Sequence, residues 1–445
     1  MKKIVLFLAS AALTLSVHAG GLMTNTNYHI AFDRMMARGA TLEVDAAYSN
    51  PAGLVWGHEG FQLSLNFQKP WQLRDIDLTS PMQRHYEGKA SAPIVPALFA
   101  SWHKDRLALS AMIGIVGSGG FVEYEDGVPM FNMVLAGMLS QQGITPDQYT
   151  LDTSMKGKQY IYGAQLNVAY RLADCLSIAV GGRANYYDGY YRGHVRATDH
   201  PLLGQLAALE LDVDQRGWGF TPIVSANYHS GPLTLTARYE FRTKLEVPNT
   251  TNTLSATLGP NVLALLQQSN PAALQSISQA LGAKTQPYQD GELTRYDMPA
   301  LLSVAAGYAF TDRLRATVEY HFFDDKNAKM ANDRQQNLTH GTNEFLAGVE
   351  GDLNDRWTLS WGIQRTDYGL SDDYQQNTSF ACDSWSIGLG AAVNLTEKLR
   401  LNAGYFCTLY EDYTKQCTAA RDGYNGQEIY SRTNHVIGLG LDWKF

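Results

Sequence analysis

The residues able to do covalent or metal chemistry are few and dispersed. The chain contains no Gly-x-Ser-x-Gly, no His-Glu-x-x-His and no Cys-x-x-Cys, which removes the hydrolase elbow, the zinc-protease helix and the paired-thiol redox motif. Gly117-Ser118-Gly119-Gly120 is too short for a phosphate-cradling loop, and no Lys-Ser/Thr pair follows it. His194 and His200 lie close together without a third ligand and read as surface residues. Asp324-Asp325 and Asp372-Asp373 read as solvated acids ahead of calcium ligands. Cys382, Cys407 and Cys417 fall toward one end of the molecule and Cys175 toward the other. In an oxidising compartment two of the first three are expected to pair, with Cys382–Cys417 favoured; the other pairings and reduced thiols stay open. The expectation is therefore no enzyme, no metal and no cofactor.

The balance of the chain agrees. It has 445 residues and a formal net charge of -8, and only 18% of it is charged. An acidic chain does not suit nucleic acid, and 45% apolar content argues against disorder. Beyond the extreme N-terminus no run approaches the roughly 20 apolar residues of a spanning helix. Residues 1–19 read as a signal peptide: Lys2 and Lys3, an apolar Ile4 to Leu15, and a small-x-small Val17-His18-Ala19 cleavage site. The mature protein is expected to leave the cytoplasm.

What must position the remaining residues is a repeat of about ten alternating apolar and polar residues, the period of a two-faced strand. Phe61, Leu63, Leu65 and Phe67 alternate with Gln62, Ser64, Asn66 and Gln68, and Trp357, Leu359, Trp361 and Ile363 do the same. Strands are expected near 61–69, 94–103, 107–116, 159–173, 175–187, 219–229, 232–243, 300–310, 313–323, 344–353, 356–366, 384–395, 398–409 and 434–445. Fourteen strands with short turns at one end and long loops at the other predict an all-β fold: a transmembrane antiparallel barrel of the bacterial outer membrane over 61–445. The apolar face must meet lipid, because a register slip would turn Arg238 and Glu240 outward. The last strand ends on Phe445, an expected handle for barrel-assembly machinery.

Residues 20–60 do not alternate and suit short helices plugging the lumen. They carry an Arg- and Ala-rich stretch, Arg34 to Ala40, then Asp45 and Asn50-Pro51-Ala52-Gly53-Leu54. With the signal peptide, the strand count and the terminal Phe445, this pattern resembles the hatch of the FadL/TodX family across essentially the whole mature chain. That resemblance implies a fourteen-stranded outer-membrane transporter for hydrophobic compounds, with Asn50, Pro51, Ala52 and Gly53 in the lumen beside a kinked third strand. Gly117, Gly119 and Gly120 are the kink candidates, since glycines permit bulges.

Three outer loops are apolar with helical spacing. Met130, Phe131, Met133, Val134 and Met138 lie in one, Leu202, Leu203 and Leu206 in a second, and Val262 to Leu266 with Ala272 to Leu274 in a third. The resemblance implies that the first two form the groove that captures ligand. A fatty-acid headgroup would need a lumenal cation, and Arg183, Arg238 and Arg242 face inward by the alternation; with a neutral substrate they would pair with Glu240 or Tyr hydroxyls instead. The reading is a monomeric passive channel for hydrophobic small molecules, long-chain fatty acids first, working by loop capture, hatch rearrangement and exit near the third strand. Its partners would be ligand, outer-membrane lipid and the assembly machinery, with no nucleic acid. A general diffusion porin or a surface adhesin is the rival.

Overall fold

Period-two alternation is realised as strands bonded side by side around a closed ring. The computed structural model describes residues 22, 27–92, 94–140, 144–269 and 271–445; the expected leader, 1–19, lies outside them. Eighteen segments form one sheet, and four barrel strands consist of two segments each, which leaves fourteen. In chain order these are β1 (Gly60–Ser80), β2 (Arg84–Ser91 and Val95–Lys104), β3 (Leu107–Tyr124), β4 (Thr150–Ala173), β5 (Leu176–Thr198), β6 (Ala207–Ser230) and β7 (Leu233–Glu240 and Glu246–Leu258). The second half comprises β8 (Leu293–Arg295 and Leu301–Thr311), β9 (Leu314–Phe323), β10 (Asn343–Asp352), β11 (Trp357–Asp367), β12 (Ser384–Asn394), β13 (Leu399–Tyr410 and Tyr413–Cys417) and β14 (Gly426–Lys444). Neighbours are antiparallel, and β14 returns to β1, with Leu441 opposite Leu65. Closure leaves neither end strand of the sheet without a neighbour, as a sheet crossing a bilayer requires.

The faces sort as the alternation requires. Leu166, Val180 and Leu439 are exposed on the outside, whereas Asn66, Asn185 and Asn402 are buried inside. Short turns close one end through local side-chain bonds. The Thr311 hydroxyl accepts from the Leu314 N–H at 3.0 Å, and the Asn354 carbonyl oxygen accepts from Arg356 and Trp357 N–H at 2.9 Å each.

Several strands outrun the expected spans. β4, β5 and β6 reach 24, 23 and 24 residues. Their outer thirds keep the period but invert its polarity. Outside, Lys158 pairs with Asp188 at 2.6 Å and Arg192 with Asp212 at 3.0 Å. Inside, Met155, Tyr191, Leu211 and Val213 are buried in one apolar cluster. Over the lower part of these strands the apolar face meets lipid; above it, charged residues lie outside and apolar residues turn inward.

Among the described residues three helices of ten residues or more stand at the outer end: α3 (Pro129–Ser140), α4 (Pro260–Ser269) and α5 (Pro271–Thr285), after α1 (Ile30–Met35) and α2 (Ala46–Ser49) in the lumen. The helical expectation for 201–209 is corrected. Residues 201–203 form a turn closed by a His200–Gly204 bridge, and Ala207 begins β6. From Ala207 to Gln215 the chain pairs with β5 on one side and β7 on the other, so ladder bonding on both edges overrides the local helical spacing.

Two outcomes test this arrangement. Replacing Leu439 by Arg puts a charge against bilayer hydrocarbon and should cost ~2–4 kcal/mol, read as earlier loss of the heat-resistant folded band in unheated gels. Asp325, in the loop after β9, is fully buried. Its carboxylate accepts from the Thr342 N–H at 2.8 Å; burial without a cation pushes its pKa up to about 7. The folded state therefore holds this proton more tightly than the unfolded chain, and stability falls as pH rises from about 4 through 7. Asp325→Asn should raise thermal resistance at pH 8 and change little at pH 4.

Candidate functional site

The lumen is filled by residues 27–57. α1 lies against the β10–β14 wall, and α2 runs into a short 3-10 helix, Pro51–Trp56, against β4–β6. Arg38 knits the segment together, donating to Asp45 at 2.7 Å, Glu43 at 2.9 Å and Thr41 at 2.7 Å. Pro51 opens the 3-10 helix, where a missing N–H costs nothing. The Asn50 amide donates to Asn227 at 2.9 Å and to the Thr41 carbonyl at 3.0 Å. The Ala52 N–H donates to Ser225 at 3.1 Å, and the Ser177 hydroxyl donates to the Ala52 carbonyl at 2.6 Å. A side chain at Gly53 would overlap the Asn50 amide. The polar fasteners of this stretch are thus on β5 and β6, while Leu54 and Val55 share one apolar cluster with Met112 and Val116 of β3.

Buried ion pairs anchor the plug elsewhere. Arg34 of α1 bonds Glu350 and Ser360 and donates to Asn402 at 3.3 Å. Arg183 and Arg238, two of the three expected headgroup cations, are both 2% exposed. Arg183 pairs with Glu240, which also meets Arg238 at 3.3 Å; Arg238 in turn donates to the Tyr48 carbonyl, and both guanidiniums lie over the Tyr48 ring. They hold the hatch, and Nε and Nη2 of Arg238 are buried without an acceptor. Arg242 is exposed at the break in β7 and donates to the Asn327 carbonyl.

A different arginine pair faces open space. Above α1 a cavity is lined on its lower side by Phe32, Met36, Phe406 and Val436, and on its upper side by Arg74 and Arg432. These two arginines are direct cross-strand neighbours on β1 and β14. Like charges opposed in this way repel, and among the described residues no carboxylate forms an ion pair with either. The Arg432 guanidinium sits 4.6 Å over Tyr410, and Arg74 Nε is buried without an acceptor. Gln68, Gln364, Ser386, Thr408 and Asn434 line the same space, so it is a chamber of mixed polarity, and two uncompensated cations at one end match an amphipathic anion. The alternation could have flagged this pair as inward, but both residues lie outside the spans in which apolar residues face lipid.

The same cavity reaches the wall at the expected kink. β2 is bonded to β3 over Leu98–Lys104 and again at Gly88–Ala90, with no ladder between. On the other edge, the β3–β4 register shifts between Ile115 and Gly117 and between Ser118 and Gly120, so Val116 and Gly119 are the extra residues. Gly120 has φ +72°, a conformation side chains resist. Gly117 and Gly120 line the cavity, and Tyr28 packs with Ala92, Val95, Ile115 and Tyr160 between it and the breach.

At the outer end, Phe131 and Val134 of α3 are buried with Met130 and Met133 beside them; the side chain of Met138 lies outside the described residues. Leu206 packs with Leu139 and Ala197, bordered by Leu135, Leu203 and Val262, while Leu202 is 85% exposed. Two of the expected groove elements therefore meet, at the C-terminal end of α3. The start of α3 is fixed by Asn377, which accepts from the Met130 N–H at 2.8 Å and donates to both oxygens of buried Glu428 at 2.9 Å. The expected disulfide is absent: all four thiols are free. Cys382 donates to the Tyr430 carbonyl at 3.5 Å and Cys417 to the Tyr424 hydroxyl at 3.7 Å; burial pushes the Cys382 thiol up to about 12, which keeps it protonated and unreactive.

Residues 262–445 match the family model described as outer membrane protein beta-barrel domain. No curated protein of similar sequence was found. Among solved structures, a Pseudomonas aeruginosa FadL homologue is similar with a TM-score of 0.66 at 14% identity, over 96% of this chain and all of the other. The P. putida toluene transporter TodX gives 0.58 at 12% identity over 91% of this chain and 95% of its own. The Ralstonia pickettii toluene transporter TbuX gives 0.56 at 14% over 91% and 94%. At such identities the likeness is one of fold.

The ion-pair anchors predict a specific failure. Glu240→Gln leaves two buried guanidiniums uncompensated and should cost about 3–5 kcal/mol. Thermal unfolding followed by circular dichroism in detergent measures the loss, and Glu240→Asp should recover part of it.

Proposed function

Since this outer-membrane barrel carries the fold of the FadL homologue and the toluene channels, we propose that it is a passive channel for hydrophobic small molecules, with long-chain fatty acids as its substrate. The observation that carries the choice is the Arg74–Arg432 pair, opposed across β1 and β14 above a chamber that sets Phe32, Met36, Phe406 and Val436 among polar side chains. A neutral hydrocarbon gives two facing guanidiniums nothing in return for their repulsion. A carboxylate neutralises both, and its acyl chain gains about 0.8 kcal/mol per buried methylene against Phe32, Met36, Phe406 and Val436.

The route follows the apolar surfaces. Ligand is taken up where the end of α3 meets Leu203 and Leu206, descends through the outer apolar cluster and rests on α1. Exit lies through the breach between β2 and β3, once the residues around Tyr28 shift. A lateral exit needs no free path down a plugged lumen. Nothing in this path breaks a covalent bond, and the gradient into the membrane supplies the drive. A plugged barrel of this kind also conducts few ions, unlike a general porin. Phe445, exposed beside Phe61 with ring centres 5.5 Å apart, is the residue offered to assembly machinery.

The test compares two ligands in one variant. Arg74→Gln with Arg432→Gln should weaken oleate binding by roughly ten- to a hundredfold, the loss of charge-assisted bonds worth about 1.5–3 kcal/mol, measured by equilibrium binding of labelled oleate to refolded protein. Binding of a neutral alkane should not change. Equal loss of both ligands, or of neither, would sink the headgroup assignment.

A further inference from the structure

The lumenal wall under α1 is made of glycines. Gly348 of β10 stands opposite Gly362 of β11, and Gly362 opposite Gly388 of β12. One pleat along, Gly390 stands opposite Gly404 of β13, and Gly404 opposite Gly438 of β14. Six glycines thus form a track without side chains across five neighbouring strands. Glycine weakens a strand interior, so a row of them at matched register requires a reason, and contact with α1 supplies it. A Cβ on Gly348 or Gly362 would overlap the Met35 carbonyl; one on Gly388 would sit 2.5 Å from the Asp33 carbonyl oxygen, and one on Gly404 2.8 Å from Asp33 Cβ. A Cβ on Gly390 would lie 2.7 Å from Arg34 Cβ, and one on Gly438 would overlap Ile30. The helix backbone lies directly on the strand backbones.

The same helix faces the ligand chamber through Phe32, and its C-cap Met36 lines that chamber while also lying against Gly388. Its first N–H groups are also committed to the wall or to its own cap: Ile30 donates to Asn66 at 3.0 Å and Ala31 to His29 at 3.1 Å. A helix that is at once plug and chamber floor cannot leave without dismantling the site.

We infer that the glycine track is a seat that locks α1 into the lumen, and that α1 stays seated while ligand passes. The seat is independent of the substrate; the claim that α1 stays put during passage rests on the channel reading above. Gly388→Val and the milder Gly362→Ala should each unseat α1 and raise steady ion conductance in planar bilayers by roughly tenfold or more over the unaltered protein. Gly351→Val, at a site where an added Cβ meets nothing closer than 3.8 Å, should not. Heat-modifiable gel mobility confirms that each tested barrel is closed. Folded Gly388→Val or Gly362→Ala barrels that conduct no more than the Gly351→Val control overturn the seat.

The second arm leaves the track intact. Ile30→Cys with Asn66→Cys, in a chain carrying Cys175→Ser and Cys407→Ser, ties α1 to β1 on oxidation. Uptake of labelled oleate by cells should be the same oxidised or reduced, within about twofold. Uptake lost on oxidation and restored by dithiothreitol overturns the claim that α1 stays. A barrel that takes up no oleate in any state defeats the transport reading instead, and the conductance arm still decides the seat.

Discussion

Hydrocarbon offers no hydrogen bonds, so a chain crossing it must bond its own backbone completely. The rest of this molecule depends on that constraint. It requires a closed ring of antiparallel strands, with β14 returning to β1, and it fixes which residues face out. Besides a comparable gap between β6 and β7, from Gln215 to Ile223, the long unbonded stretch between β2 and β3 therefore stands out. It occurs where β3 carries two extra residues and a glycine at positive φ, and where Tyr28 fills the inner side of the breach. A backbone gap is tolerated in a bilayer when protein backs it, so the plug and the wall complete each other at that point.

The second organising fact is the inversion of polarity along each long strand. Within the bilayer, apolar side chains face out and amides and ion pairs face in. Above it, Lys158, Asp188, Arg192 and Asp212 face out while Tyr191 and Val213 face in. The lumen consequently changes character with height: a polar lower half grips the hatch, and an apolar upper half offers greasy surface to a ligand. The chamber lies at this change, which places its two arginines over a lining of mixed polarity without exposing either to lipid.

This division explains what could be read from the sequence. The fourteen strands and the lumenal plug were legible, because lipid contact imposes a strict alternation and because 20–60 lacks one. The outer extensions of β4, β5 and β6 were not, since alternation there carries charge on the face that had been apolar. Arg183 and Arg238 do point inward, and Glu240 pairs with both; a period does not reveal such a cross-strand partner. Arg74 and Arg432 meet because β1 and β14 close the ring, a contact between the two ends of the barrel that no local pattern encodes. The 201–209 segment has helical spacing yet lies partly in a strand, because its neighbours offered two ladders. The thiols of Cys382 and Cys417 share a compartment and a cluster, but each is committed to a separate oxygen acceptor.

The start of α3 is tied to the closing strand through one amide. Asn377 holds the first turn of that helix with its oxygen and the Glu428 carboxylate of β14 with its nitrogen. The entry surface is therefore not a module of the loop that bears it. Transplanting 125–149 into another barrel would carry the apolar residues but not their orientation; the donor loop 368–383 and the acidic residue on the closing strand would have to travel with it.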